Sequence, residues 1–227
     1  MMLKRFQIFI FLSLMLPFFA PHFGFCSEKG IENIDGLFAE FDSHASAFIK
    51  EKEAPGVAIA IVDRGQIVFM KGYGVKKVGS PDQINIHTVF RIASLSKSFA
   101  AVLTGLLVDD GLIGWDDKVK KYLPDFVLAD TANTENLTIR HVLSHTSGLL
   151  PHAYDNLIEA NLPLNKIIGK LKNVNAICPV GECYAYQNVV YSLISPIIES
   201  ASEQKYEAVL RDRLFLPLGM TDLTLSR

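Results

Sequence analysis

Apolar positions recur along this chain with two different periods, and the change of period separates its parts. Between Ile31 and Lys52 the apolar residues Ile34, Leu37, Phe38, Phe41, Ala45, Phe48 and Ile49 return every three or four positions, which predicts an amphipathic helix. Pro55 and Gly56 end it. Val57–Val62 and Gln66–Val75 then read as two strands around the turn Asp63-Arg64-Gly65, a β-hairpin. A helical period resumes from Ser94 to Asp110, with Leu95, Phe99, Val102, Leu103 and Leu106 as the predicted apolar stripe and Gly111 and Gly114 as the stop. Shorter helices are predicted at 137–144 and 164–171, and two longer ones at Val189–Ala201 and Glu203–Phe215. One helix, one hairpin and a mostly helical remainder make an α+β protein, without an internal repeat. Two strands are too few for a stable sheet, so the sheet reads as incomplete.

The first 26 residues follow another pattern. Lys4 and Arg5 precede an apolar run from Phe6 to Phe19, broken by Pro17, Pro21 and Gly24, with a polar exit at Ser27 and Glu28. The run is short for a membrane span, and the layout is that of a secretory signal peptide cleaved after Cys26. A lipid anchor at Cys26 and an uncleaved membrane anchor are the alternatives. The expected location is periplasmic or secreted, with membrane contact only if the segment is retained.

Composition narrows the partners. The 227 residues carry 22 basic and 24 acidic side chains and are 49% hydrophobic, which excludes a disordered or low-complexity chain. The near-zero net charge lacks the basic footprint of a nucleic-acid binder. Cys178 and Cys183 either pair across the turn between them, as an oxidising compartment permits, or stand as free thiols. His141 and His145, four apart on a predicted helix with His152 nearby, resemble half of a zinc site but lack a third ligand pattern, so no metal is expected. No G-x-S-x-G elbow of an α/β-hydrolase is present.

Candidate chemistry sits at Ser94-Leu95-Ser96-Lys97. Three apart on a helix, the Lys97 amine reaches the Ser94 hydroxyl and activates it as a nucleophile, and a helix N-terminus favours the negative charge that develops. The same spacing recurs at Ser202 and Lys205, where Ser202 reads as a helix N-cap, and Ser94 itself has the plainer reading of a cap. In Tyr186-Gln187-Asn188 a tyrosine beside an ammonium group can serve as a base and an asparagine can grip an amide, but a buried tyrosine with a hydrogen-bonded asparagine is the plainer reading of the triplet alone, and Tyr154-Asp155-Asn156 has the same spacing.

Several separated segments then agree in order. Val89-Phe90-Arg91-Ile92-Ala93-Ser94-Leu95-Ser96-Lys97-Ser98-Phe99, the stretch from Gly111 to Pro124, Leu143-Ser144-His145-Thr146-Ser147-Gly148-Leu149, Gly181 with Tyr186-Gln187-Asn188, and Leu216-Pro217-Leu218-Gly219-Met220 together resemble the serine β-lactamase and penicillin-binding-protein family. The nearest branch is the class C enzymes with their D-alanyl-D-alanine peptidase and esterase relatives. The resemblance implies an antiparallel sheet flanked by helices with a helical subdomain. It implies Ser94 as the acylated nucleophile, Lys97 and Tyr186 as partners in proton transfer, Asn188 as the binder of the acyl-side amide, and the Ser94 N–H as half of an oxyanion hole. No cofactor is implied. The substrate would be a β-lactam, a D-Ala peptide of the peptidoglycan type or a small ester.

Gln187 stands where the family has a small residue and is expected to narrow the site, and Val180 replaces a proline. No Lys-Thr-Gly or His-x-Gly triplet follows Tyr186, so residues 27–227 are expected to form the N-terminal and central part of such a domain, without its C-terminal strands. The alternative reading is a truncated, inactive homologue that at most binds cell-wall-like peptides.

Overall fold

The computed structural model describes residues 34–51 and 53–223, so the predicted signal segment lies outside the described residues. The chain divides after Ile86 into two compact units.

In the first unit, helix α1 spans Ile34–Glu51, inside the predicted range. Strands β1 (Gly56–Asp63) and β2 (Gln66–Gly74) pair antiparallel with Asp63 opposite Gln66. Arg64 and Gly65 both take positive φ, 47° and 77°, as a two-residue turn needs to match the twist of the strands. A bulge between Ile61 and Val62 shifts the register. Phe38 and Phe41 of α1 meet Phe69 of β2 with ring centroids 5.8 and 5.3 Å apart. Asp42 accepts from the Lys71 ammonium and the Tyr73 hydroxyl, both at 2.7 Å. Lys71 holds the Asp42 carboxyl below the usual carboxylate range, and burial with the Asp42 bond pushes the Tyr73 hydroxyl up to about 12. A β-carbon at Gly72 would lie 2.5 Å from the Ile84 carbonyl oxygen, so only glycine lets that segment pass. Among the described residues the sheet has two strands, as the pattern predicted.

The second unit is helical and holds the larger core. A 3₁₀ turn over Ala93–Leu95 leads into α2 (Ser96–Asp109), which Gly111 ends with φ 74°. The buried side of α2 is Ala100, Leu103, Thr104 and Leu107, with Phe99 and Leu106 packed at its edge. Leu95 and Val102 of the predicted stripe instead face outward, 67% and 52% exposed. Leu95 belongs to the preceding 3₁₀ turn, and the buried stripe of α2 runs through positions 100, 103, 104 and 107, which leaves Val102 to one side of it. The helices that follow are α3 (Val119–Tyr122), α4 (Thr131–Asn136), α5 (Ile139–Leu143), α6 (Asp155–Glu159), α7 (Leu164–Ile168), α8 (Asn188–Tyr191), α9 (Ile194–Ser202) and α10 (Tyr206–Leu210); α2 packs on α9 and α10, α3 and α5 also meet α9, and α5, α6 and α7 meet α8. Leu103, Leu137, Ile139, Leu149, Leu193 and Ile197 are among its fully buried residues.

The predicted helix over Val189–Ala201 is two helices. Pro196 has no N–H and its ring clashes with the carbonyl four residues back, so it is accommodated only in the first turn of a new helix, α9. The predicted helix from Glu203 starts only at Tyr206, because Glu203 takes a left-handed φ of 57° and reverses the chain; a wider π turn over Arg211–Phe215 completes it. Ser202 is thus the last residue of α9 and bonds back to the Ile198 carbonyl at 2.7 Å; it is not an N-cap.

Candidate active site

Ala93 sits immediately before Ser94 with φ 46°, a left-handed conformation that costs a non-glycine residue about 1 to 2 kcal/mol. That turn presents Ser94 at the mouth of α2. Neither the 3₁₀ turn nor α2 has a side-chain cap, so the Ser94 hydroxyl is not spent on capping. Its Oγ accepts from the Tyr186 hydroxyl at 2.9 Å and from Lys97 Nζ at 3.3 Å. Lys97 Nζ also donates to Asn188 Oδ1 at 2.7 Å. The ammonium lies over the rings of Tyr186 and Tyr191, 4.9 and 5.4 Å from their centroids, where the negative ring faces attract it. Tyr191 ties α8 to α2 by donating to the Lys97 carbonyl at 2.8 Å. All four residues singled out in the sequence, Ser94, Lys97, Tyr186 and Asn188, therefore form one bonded cluster.

The loop from Ser144 to His152 holds the tyrosine in place. Ala185 N–H donates to the His145 carbonyl at 2.9 Å, His152 N–H to the Tyr186 carbonyl at 3.0 Å, and Gln187 N–H to His145 Nδ1 at 3.2 Å. The His145 ring packs against Tyr186 at 4.4 Å and Tyr191 at 5.2 Å. Burial lowers its pKa and the nearby Lys97 charge lowers it further, so the ring is neutral at pH 7 and accepts the Gln187 bond. The His141 ring joins a capping box with Thr138 at the start of α5. Because α5 ends at Leu143 and His145 takes φ 58°, the two rings part and do not share one helix face as the zinc-like spacing suggested. No group of three or more metal-ligating side chains occurs among the described residues.

Gln187 does not narrow the site. Its side chain is fully buried, with Nε2 donating to the Leu150 carbonyl at 3.2 Å and Oε1 accepting from Val189 N–H at 3.1 Å, so it caps α8 from inside. Cys178 and Cys183 form a disulfide. Beside it, Gly148 takes φ 80°, and a β-carbon there would lie 2.3 Å from the Cys178 carbonyl oxygen and 2.7 Å from Asn133 Nδ2. Gly148→Ala is therefore expected to destabilise the fold by about 3 kcal/mol, from the left-handed backbone and the two clashes together. Denaturant unfolding measures it, and an unchanged midpoint would contradict the reading of this loop.

Lys97 sets the electrostatics. Its hydrogen-bonding ammonium holds the Tyr186 hydroxyl below the usual tyrosine range, with the Ser94 contact adding to the effect and burial opposing it. The cluster opens on a cleft of about 560 Å³ whose walls include Arg91, Ser94, Lys97, Asp155, Asn188 and Tyr206. The spacing of motifs did not reveal Asp155: its Oδ2 accepts from Asn188 Nδ2 at 2.7 Å and contacts His152 Nδ1 at 2.8 Å. Its only trace in the sequence was the rival triplet Tyr154-Asp155-Asn156, whose tyrosine turns out to precede α6 with φ 65°.

A family model described as beta-lactamase matches residues 41–227. Penicillin-binding protein 4 of Amycolatopsis lactamdurans is 30% identical over 80% of this chain and 48% of its own length. Protein flp of Staphylococcus aureus (strain MW2) is 28% identical over 79% of this chain and 36% of its own. Among solved structures, the octameric penicillin-binding protein homologue from Pyrococcus abyssi superposes with a TM-score of 0.72 at 28% identity, over 81% of this chain and 43% of that one. The chain spans less than half the length of each of these three proteins.

Proposed function

Because this chain belongs to the beta-lactamase family, we propose that it is an exported serine hydrolase acylated at Ser94 by a β-lactam, a D-Ala peptide or a small ester. The observation that carries this reading is the Ser94 hydroxyl held between Tyr186, at 2.9 Å, and Lys97, at 3.3 Å. Ionised Tyr186 accepts the Ser94 proton, reversing the hydrogen bond present in the structure. The serine oxygen attacks the substrate carbonyl, and the leaving amine or alkoxide takes the proton back from Tyr186 as the acyl-enzyme forms. Water then attacks the ester by the reverse transfers. Lys97, within hydrogen-bond reach of the Ser94 oxygen, assists these transfers and stabilises the phenolate and the charge developing beside it. Among the described residues no backbone carbonyl accepts from the Ser94 N–H, which leaves it for the oxyanion. The Asn188 amide meets the acyl-side amide of the substrate.

Residues 1–26 act as the export signal in this reading and place the protein in the periplasm or outside the cell. The Cys178–Cys183 bridge supports that location, since such bonds persist in oxidising compartments. The partner is a small-molecule or peptidoglycan-like peptide substrate, not a nucleic acid. Incubation of the chain with a chromogenic cephalosporin, a D-Ala-D-Ala peptide and a p-nitrophenyl ester tests the function. Turnover of at least one, with an initial burst equal to the enzyme present, is the expected result. Binding without any covalent burst would assign the chain to non-catalytic recognition instead.

A further inference from the structure

Asp155 opens α6 and lines the cleft. Asn188 lies between it and Lys97, with 2.7 Å contacts on both sides. A carboxylate only accepts hydrogen bonds and an ammonium only donates them, so the amide between them has one satisfactory orientation: Nδ2 toward Asp155 and Oδ1 toward Lys97. Turning it over would set two acceptors against each other and two donors against each other. The second N–H of the amide is left for a ligand. The same Asp155 oxygen meets His152 Nδ1 at 2.8 Å, and the His152 backbone N–H holds the Tyr186 carbonyl at 3.0 Å. One carboxylate thus braces both Asn188 and the turn that carries Tyr186. Its other oxygen, Oδ1, is buried and has no hydrogen-bond partner among the described residues. A carboxylate kept in place at that cost is explained by where it points its neighbours rather than by its own stability.

We propose that Asp155 is a positioning residue: it locks the Asn188 side-chain amide and, through it, fixes Lys97 beside Ser94. The proposal rests on the reading of Ser94 as nucleophile. Charge alone predicts the opposite of positioning. Asp155 pushes the Tyr186 hydroxyl up, so deleting its charge would favour the phenolate and speed proton removal. A slower reaction therefore reports lost placement.

The test compares second-order labelling of the chain by a fluorophosphonate in wild type, Asp155→Ala, Asn188→Ala, the double variant and Asp155→Asn, with folding verified by circular dichroism. Asp155→Ala is expected to react about tenfold more slowly, and the double variant no more slowly than Asn188→Ala alone, because one residue acts through the other. Asp155→Asn keeps an acceptor oxygen toward Nδ2 and recovers most of the rate; Asp155→Ser replaces alanine where alanine unfolds. A wild-type rate in Asp155→Ala, or losses that multiply in the double variant, would overturn the proposal. In parallel, the Asn188 side-chain amide, assigned by its loss in Asn188→Ala, is followed by NMR. Its two protons are expected to be well separated and slow to exchange in wild type, and to converge and exchange faster without Asp155. An unchanged amide signal refutes positioning even if no probe reacts, whereas an unlabelled wild type with the expected amide change refutes only the nucleophile.

Discussion

Ser94→Ala is expected to abolish covalent labelling of the chain by fluorophosphonate or penicillin while leaving its melting temperature within about a degree of wild type, because Ser94 is exposed and surface substitutions of this kind change stability by about 0.5 kcal/mol or less. The separation of the two effects is the point. Ser94 Oγ receives two hydrogen bonds, from Tyr186 and Lys97, and the backbone turn that presents it is built by Ala93 and not by its own side chain. Alanine removes the one atom proposed to form the acyl bond and keeps the turn. Ser96, two residues on, is also exposed but has no such partners among the described residues, so it is not expected to substitute. Labelling that survived Ser94→Ala would remove the nucleophile from the account.

Lys97→Met is expected to slow acylation about 1000-fold. Methionine keeps much of the apolar stem that packs between Tyr186 and Tyr191 but loses the ammonium that contacts Ser94 and Asn188. Two losses combine. The charge stabilisation at the reacting centre disappears, and Tyr186 loses the cation that holds its hydroxyl below the usual range. The sign follows: a neighbouring cation favours phenolate, so deleting it moves the Tyr186 titration upward, and the rising limb of the rate–pH profile moves to higher pH with it. Stability falls less, by about 1 to 2 kcal/mol, as Asn188 Oδ1 is left without its donor. A profile that kept its wild-type position while the rate fell would assign Lys97 to simple packing, and an unchanged rate would take it out of the mechanism.

How much of this was legible in the sequence depended on whether neighbours in space were neighbours in the chain. Local period gave α1, the hairpin and the body of α2, because each is decided by residues a few positions apart. Period did not give the break at Ser192-Leu193, where Pro196 overrides an otherwise continuous apolar pattern, nor the outward turn of Leu95, which depends on where the 3₁₀ turn hands over to the helix. In the site, Ser94 and Lys97 were readable as a pair from helical geometry. Tyr186 and Asn188, some ninety residues away, were joined to them only by resemblance to a family, since no spacing rule connects them. Asp155 escaped both routes. Its effect passes through the amide of Asn188, a contact between residues 33 apart that requires the loop after Gly148 to fold back over α8. Gln187 shows the converse error: its unusual size suggested an obstruction, but its amide satisfies two backbone groups inside the protein and leaves the cleft open.

A single atom, Ser94 Oγ, is the proposed point of attack, and the basic residues on either side of it allow a direct test. Trypsin cleaves after Arg91 and after Lys97, releasing Ile92-Ala93-Ser94-Leu95-Ser96-Lys97. Fragmentation of that peptide by mass spectrometry, after reaction of the wild-type chain with a fluorophosphonate, distinguishes Ser94 from Ser96. One adduct per chain, on Ser94, is expected; an adduct on Ser96 or on any other residue, or none at all, would rule out Ser94 as the nucleophile.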